Sequence, residues 1–188
     1  MYAINLSVSG SGKGYSTNVI EDQVIDQFRH NFTEQTFPLI AQKNLPKISH
    51  LRAIRKGTDP DTELLITEKE FENIGPLLFS FDSGTTAAVK QARQKLLMAE
   101  AGSMNLQIDE IGSNLLGNME VLNTFLELFD VGKVKQKLVK NTADNARHEE
   151  IHGKTPTNMM LFGTPSSLLD GSKSEEEFYS MLETGYAR

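Results

Sequence analysis

The chain has 188 residues, 38% of them apolar, which is enough to bury one sizeable core, and the length argues for a single domain. A formal net charge of −6 and a pI near 5.3 argue against a surface dominated by contacts to a phosphate backbone, and no apolar run approaches the roughly 18 to 20 residues of a membrane span. With no cysteine, the sequence offers no disulfide framework, thiolate zinc site or thiol nucleophile.

Tyr2 to Val8 alternates apolar and small or polar residues, the period of a strand. Glycines and serines follow from Ser9 to Gly14. Apolar residues then return at Ile20, Val24 and Phe28, four apart, as on one face of a helix. Nothing at the N-terminus reads as a basic leader with an apolar segment, so the expected location is cytoplasmic, in a bacterium or a phage-infected host.

From Pro38 to Asp61 the pattern is weak. Pro46, Gly57 and Pro60 act as breakers, and only short elements are expected there. The most basic stretch, Lys43 to Lys56, holds Lys47, Arg52, Arg55 and Lys56 and reads either as a nucleic-acid contact or as a solvated face. Thr67 to Glu70 fits a capping box before a short helix that Gly75-Pro76 would stop, and Leu77 to Phe81 reads as a strand. Thr85 or Thr86 then caps a helix with Val89, Ala92, Leu96 and Ala99 on one face, ended by Gly102.

Met104, Leu106 and Ile108 alternate with Asn105 and Gln107 and lead into Asp109-Glu110, which predicts a strand with two carboxylates at its carboxyl end. A helix with Met119, Leu122, Phe125 and Phe129 on one stripe follows. Lys133 to Lys140 alternates weakly, as in a hairpin strand. Met159 to Phe162 is wholly apolar, as expected of a strand covered on both faces. Ser174 to Glu177 reads as the cap of a last helix carrying Phe178, Met181 and Leu182, with Gly185 as its stop. Alternating strands and helices imply an α/β fold with a parallel sheet, whose ligands bind beyond the carboxyl ends of the strands.

The glycine loop lies at such an end. A P-loop needs glycines so that successive backbone N–H groups can turn around a phosphate, a lysine to reach the outer phosphates, and a following helix whose N-terminus favours the same anion. Ser9, Gly10, Ser11, Gly12, Lys13, Gly14, Tyr15 and Ser16 form the candidate nucleotide-binding loop, with ATP and Mg²⁺ as its expected ligands. Against G-x-x-x-x-G-K-[ST], Ser7 replaces the first glycine and Gly14 replaces the magnesium-binding hydroxyl, for which Ser16 or Thr17 would have to substitute.

In P-loop ATPases an Asp at a strand end holds the magnesium and a neighbouring Glu polarises the attacking water. Asp109 is the candidate for the metal and Glu110 for the water. Thr164, just past the apolar run, is the candidate for orienting that water, with Asn158 second to it. Arg188, with Arg147 as the weaker choice, would act as an arginine finger, in one arrangement across a subunit interface.

The segments Ser9 to Thr17, Ile108 to Gly112, Thr155 to Asn158, Phe162 to Ser166 and Glu183 to Arg188 together resemble the ATPase core of phage and prophage primase or helicase proteins, of the RecA/AAA-like P-loop class. The resemblance implies a mostly parallel central sheet flanked by helices, the three-layer P-loop NTPase sandwich. It also implies ATP hydrolysis coupled to movement on single-stranded DNA or a DNA fork, in a homo-oligomer. Residues 1–188 would then be one P-loop domain and a fragment of a longer protein. Lys13 would contact phosphates, Asp109 the magnesium and Glu110 the water, with Thr164 at the sensor position.

Besides a nucleotide or small-molecule kinase, for whose acceptor pocket and lid the sequence offers no signature, two other classes compete. His148-Glu149-Glu150-Ile151-His152 matches H-E-x-x-H, with Glu175, Glu176 or Glu177 as a third ligand, and reads as a zinc-dependent hydrolase. Against it, Glu150 puts a charge within the motif and Gly153 to Pro156 ends any helix at once. The other class is a non-hydrolysing interaction module that keeps the P-loop shape, which Gly14 favours.

Overall fold

The computed structural model describes residues 1–134 and 153–183. It is a mixed α/β structure in which helices outweigh a small, open, three-stranded parallel sheet. Strand β1 (Tyr2–Leu6) leads through the glycine loop into α1 (Lys13–Ile20). Helical backbone then continues through a π-helical turn (Glu21–Ile25), α2 (Asp26–Asn31) and a second π-helical turn (Phe32–Thr36) into α3 (Phe37–Lys56). After α4 (Pro60–Asn73) and α5 (Thr86–Ala99) come β2 (Met104–Ile108), α6 (Ile111–Val131), β3 (Thr157–Gly163), α7 (Pro165–Leu168) and α8 (Lys173–Met181). Among the described residues no helix is long and apolar enough to cross a membrane.

The strand order is β1-β3-β2, with Tyr2 paired to Met159 and Leu106 also paired to Met159. Because side chains alternate along a strand, this register puts Tyr2, Ile4, Leu6, Met104, Leu106, Ile108, Met159 and Leu161 on one face. That face meets the apolar stripe of α6, where Ile111, Leu115, Leu122 and Phe125 are fully buried. The Tyr2 hydroxyl donates to the Phe125 carbonyl and lies 3.0 Å from Thr157 Oγ1, tying the edge strand to α6.

The opposite face carries Asn5, Asn105, Gln107, Asn158, Met160 and Phe162. Its polar groups bond to one another across the strands: Asn158 Nδ2 donates to Asn105 Oδ1 (2.9 Å), and Asn105 Nδ2 donates to the Phe79 carbonyl (2.6 Å). The expectation that β3 is covered on both faces therefore fails at Met160, which stays 38% exposed. The apolar stripe after the glycine loop is largely exposed: Ile20, Val24 and Phe28 are 53%, 69% and 60% exposed, although the Phe28 ring packs against Phe32 and Phe79, each at 5.9 Å.

Other departures have local causes. The region after Pro38 is a 20-residue helix, not a set of short elements. Pro46 is tolerated inside it because the carbonyl left unpaired by the missing N–H belongs to Gln42, on the exposed side. The start of α4 is set by Asp59, whose carboxylate accepts from the Thr62 N–H at 2.9 Å. Thr67 and Glu70 are buried in mid-helix and form no capping box. Leu77 to Phe81 contributes one parallel bridge, Phe81 to Leu106, and no strand. Helix α8 is capped by Ser172, not by Ser174. Thr85 caps α5 as expected. That helix stops at Ala99, with Glu100 in the left-handed region (φ 52°), ahead of Gly102.

Candidate functional site

The glycine loop joins the carboxyl end of β1 to α1, as the sequence predicts. Gly10 (φ 77°) and Gly12 (φ 80°) take left-handed backbone, which a side chain would strain, and a Cβ at Gly10, Gly12 or Gly14 would meet nothing within 4 Å. The loop closes on itself through the Ser11 N–H to Val8 carbonyl bond (3.3 Å) and the Ser11 to Ser7 hydroxyl bond (3.1 Å). Gly12 is the N-cap of α1 and supplies no side-chain cap, so among the described residues no side chain caps the N–H groups of the first turn. Ser9, Gly10, Ser11, Gly12, Gly14, Tyr15 and Ser16 are exposed and Lys13 is half-buried.

Of the two hydroxyls expected to replace the one missing at Gly14, Thr17 is already engaged, donating to the Lys13 carbonyl at 3.0 Å. Ser16 is exposed, and its N–H is bonded within the helix to Gly12.

Asp109 and Glu110 follow the last residue of β2, again at a carboxyl end. Asp109 is exposed, whereas Glu110 is half-buried and is the N-cap residue of α6. Thr164 follows the last residue of β3 and is the N-cap residue of α7, with Pro165 in the first helical turn. Since β3 lies between β1 and β2, those two strands run two strand spacings apart, about 10 Å, and the end of β3, which Thr164 follows, lies between their ends.

One serine joins the two candidate catalytic groups. Ser167 Oγ donates to Glu110 Oε1 at 2.9 Å and lies 2.7 Å from Thr164 Oγ1. The sequence reading did not single out Ser167. The signal that could have found it is Thr164-Pro165, a cap followed by an N1 proline, which puts the residue three after the cap in the same helical turn. Asn158, the second choice for orienting water, sits at the amino end of β3, away from the loop, and belongs to the amide ladder.

Arg188 and Arg147 lie outside the described residues, as do His148, Glu149 and His152 of the zinc motif. Glu175 Oε2 accepts from the Gly171 N–H at 2.6 Å, and the described residues hold no cluster of three or more His, Asp or Glu placed to bind a metal. The basic stretch on α3 is largely committed to the fold: Lys47 pairs with Glu100, Arg52 with Glu70 and Lys56 with Glu63.

No family model matches this chain, and comparison with curated proteins and with solved structures gave no match.

Proposed function

We propose that the chain is the ATP-binding and ATP-hydrolysing P-loop domain of a phage-type DNA helicase or primase-helicase. The observation that carries this reading is that three groups follow the carboxyl ends of the strands, on one side of the sheet. The glycine loop, Thr164 and the Asp109-Glu110 pair end three adjacent parallel strands in the order β1-β3-β2, where an open α/β sheet binds its ligands.

In this reading the loop N–H groups other than those of Ser11 and Ser16, which are bonded within the chain, and the N-terminus of α1 hold the phosphates, and Lys13 reaches the outer ones. The donor set fits Mg²⁺. That ion keeps most of its waters and needs only one or two carboxylates beside the substrate phosphates, and exposed Asp109 supplies one. Bound with the nucleotide, Mg²⁺ would supply neutralisation of phosphate charge. Glu110 takes the proton of the attacking water and Thr164 helps to orient it. Coupling to single-stranded DNA, a homo-oligomeric ring and Arg188 as its finger belong to the same proposal.

Calorimetric titration with ATP and Mg²⁺ tests the reading. The parent chain binds, Lys13→Ala binds at least about tenfold more weakly, and Glu110→Gln keeps binding while turnover falls. Equal binding by Lys13→Ala and the parent would sink it. One observation favours the non-hydrolysing module instead: Thr17 is spent on the Lys13 carbonyl, and Gly14 offers no hydroxyl. ATP binding with no turnover, unchanged by Glu110→Gln and by added single-stranded DNA, would select that reading.

A further inference from the structure

The hydrogen-bond arithmetic around Ser167 assigns roles that the sequence motifs do not. Its hydroxyl lies 2.9 Å from Glu110 Oε1, 2.7 Å from Thr164 Oγ1 and 3.1 Å from the Thr164 carbonyl. A hydroxyl has one hydrogen to give, and an ionised carboxylate forms the stronger, charge-assisted bond. Ser167 therefore donates to Glu110, and the short contact with Thr164 requires Thr164 to donate to Ser167. The chain runs from the Thr164 O–H through the Ser167 O–H to the Glu110 carboxylate. Thr164 has then spent its only hydrogen and can act on a water solely as an acceptor.

Packing enforces this arrangement. A Cβ on Gly112 would fall 2.4 Å from Ser167 Oγ and 2.8 Å from the Ser167 carbonyl oxygen, and a Cβ on Gly163 would fall 2.7 Å from Ile111 Cγ2. The first turn of α6 and the short α7 thus approach at a distance that only glycine allows, and this holds the serine between the two strand ends.

We propose that Ser167 is a positioning residue for hydrolysis, fixing the Glu110 carboxylate and restricting Thr164 to accepting a hydrogen bond. The inference rests on the reading of Glu110 as the group that polarises water. A water in this arrangement gives one hydrogen to Glu110 and directs the other to Thr164, so its lone pair is aimed at the terminal phosphate. As the water oxygen bonds to phosphorus, the bridging P–O bond to ADP breaks and the water proton passes to Glu110. Ser167 touches neither water nor phosphate.

The test compares the parent chain, Ser167→Ala and Gly112→Ala in calorimetric titrations with Mg²⁺-ADP, with and without aluminium fluoride as a mimic of the transferring phosphoryl group. Gly112→Ala keeps every hydroxyl but pushes Ser167 off its place. The expected result is unchanged ADP affinity in both variants with about a tenfold loss of the extra affinity that fluoride confers, because only the transition-state geometry depends on the bridge. Full retention of that gain in Ser167→Ala overturns the inference. A parent that binds ADP but gains nothing from fluoride overturns it together with the role of Glu110, leaving nucleotide binding intact. A parent that binds no ADP overturns the nucleotide reading itself. If Gly112→Ala does not fold, Ser167→Ala alone decides, since it removes a single oxygen.

Discussion

Arg52 and Glu70 join α3 to α4 by a two-pronged ion pair, with Nη1 to Oε2 at 2.6 Å and Nη2 to Oε1 at 3.4 Å. Both side chains are almost fully buried, at 4% and 8% exposure. Arg52 Nη1 also reaches Thr67 Oγ1 at 3.3 Å, and Gln94 on α5 donates to Glu70 Oε1 at 3.1 Å, so three helices meet at one carboxylate. Removing one partner of a buried pair costs far more than an exposed pair contributes, because the remaining charge is left in a poor solvent. Glu70→Ala should lower stability by about 3 kcal/mol. A shift in the urea midpoint of Glu70→Ala no larger than that of Lys47→Ala, whose pair with Glu100 is exposed, would show that the α3–α4 junction does not depend on this contact.

A second carboxylate on the same junction sets a pH dependence. The Glu63 side chain is 1% exposed and accepts from Lys56 Nζ at 2.6 Å and from the Thr58 hydroxyl at 3.3 Å. The Lys56 hydrogen bond leads in holding its carboxyl below the ordinary value of 4.5, and burial opposes this. Below 4.5 the unfolded chain takes up the proton before the folded one does. The stabilisation from Glu63 is therefore fully present above 4.5 and is lost as pH falls through the lower, folded value. Urea unfolding at a series of acid pH values should give a steeper loss for the parent than for Glu63→Gln. Parallel curves for the two would refute the assignment.

What was legible in the sequence was what short-range chemistry decides. β2 appears where Met104, Leu106 and Ile108 alternate, Thr85 caps α5, Phe178 and Met181 are buried on α8, and the glycine loop joins a strand to a helix. Two things were not legible, because they depend on partners far away in the chain. The stripe Ile20, Val24 and Phe28 carries the period of a helix face but stays largely exposed, and Phe28 meets Phe79 from a distant part of the chain. Glu21 and Arg29 of that helix pair with each other, with Arg29 over the Phe79 ring. The candidate site divides in the same way. Lys13, Asp109, Glu110 and Thr164 were singled out from local pattern, whereas Ser167 bridges groups 57 and 3 residues away, and its link to Glu110 depends on the fold.

The departure at Gly14 yields the sharpest test of the loop, because the residue that the P-loop pattern requires can be put back. Gly14 is the second residue of α1, outside the left-handed region, and a Cβ there meets nothing within 4 Å, so a side chain fits without strain. Gly14→Ser restores a hydroxyl at the place where the pattern puts a magnesium ligand. It also replaces a glycine in a helix, which by itself adds about 0.5 kcal/mol of stability. Gly14→Ala separates the two effects, since it gains the helical preference without the oxygen. The expected outcome is that both variants melt higher than the parent, while only Gly14→Ser binds ATP about tenfold more tightly, and only when Mg²⁺ is present. If Gly14→Ser and Gly14→Ala bind Mg²⁺-ATP alike, residue 14 does not face the metal. The glycine would then not be a missing ligand, and the magnesium would depend on Asp109 and the phosphates alone.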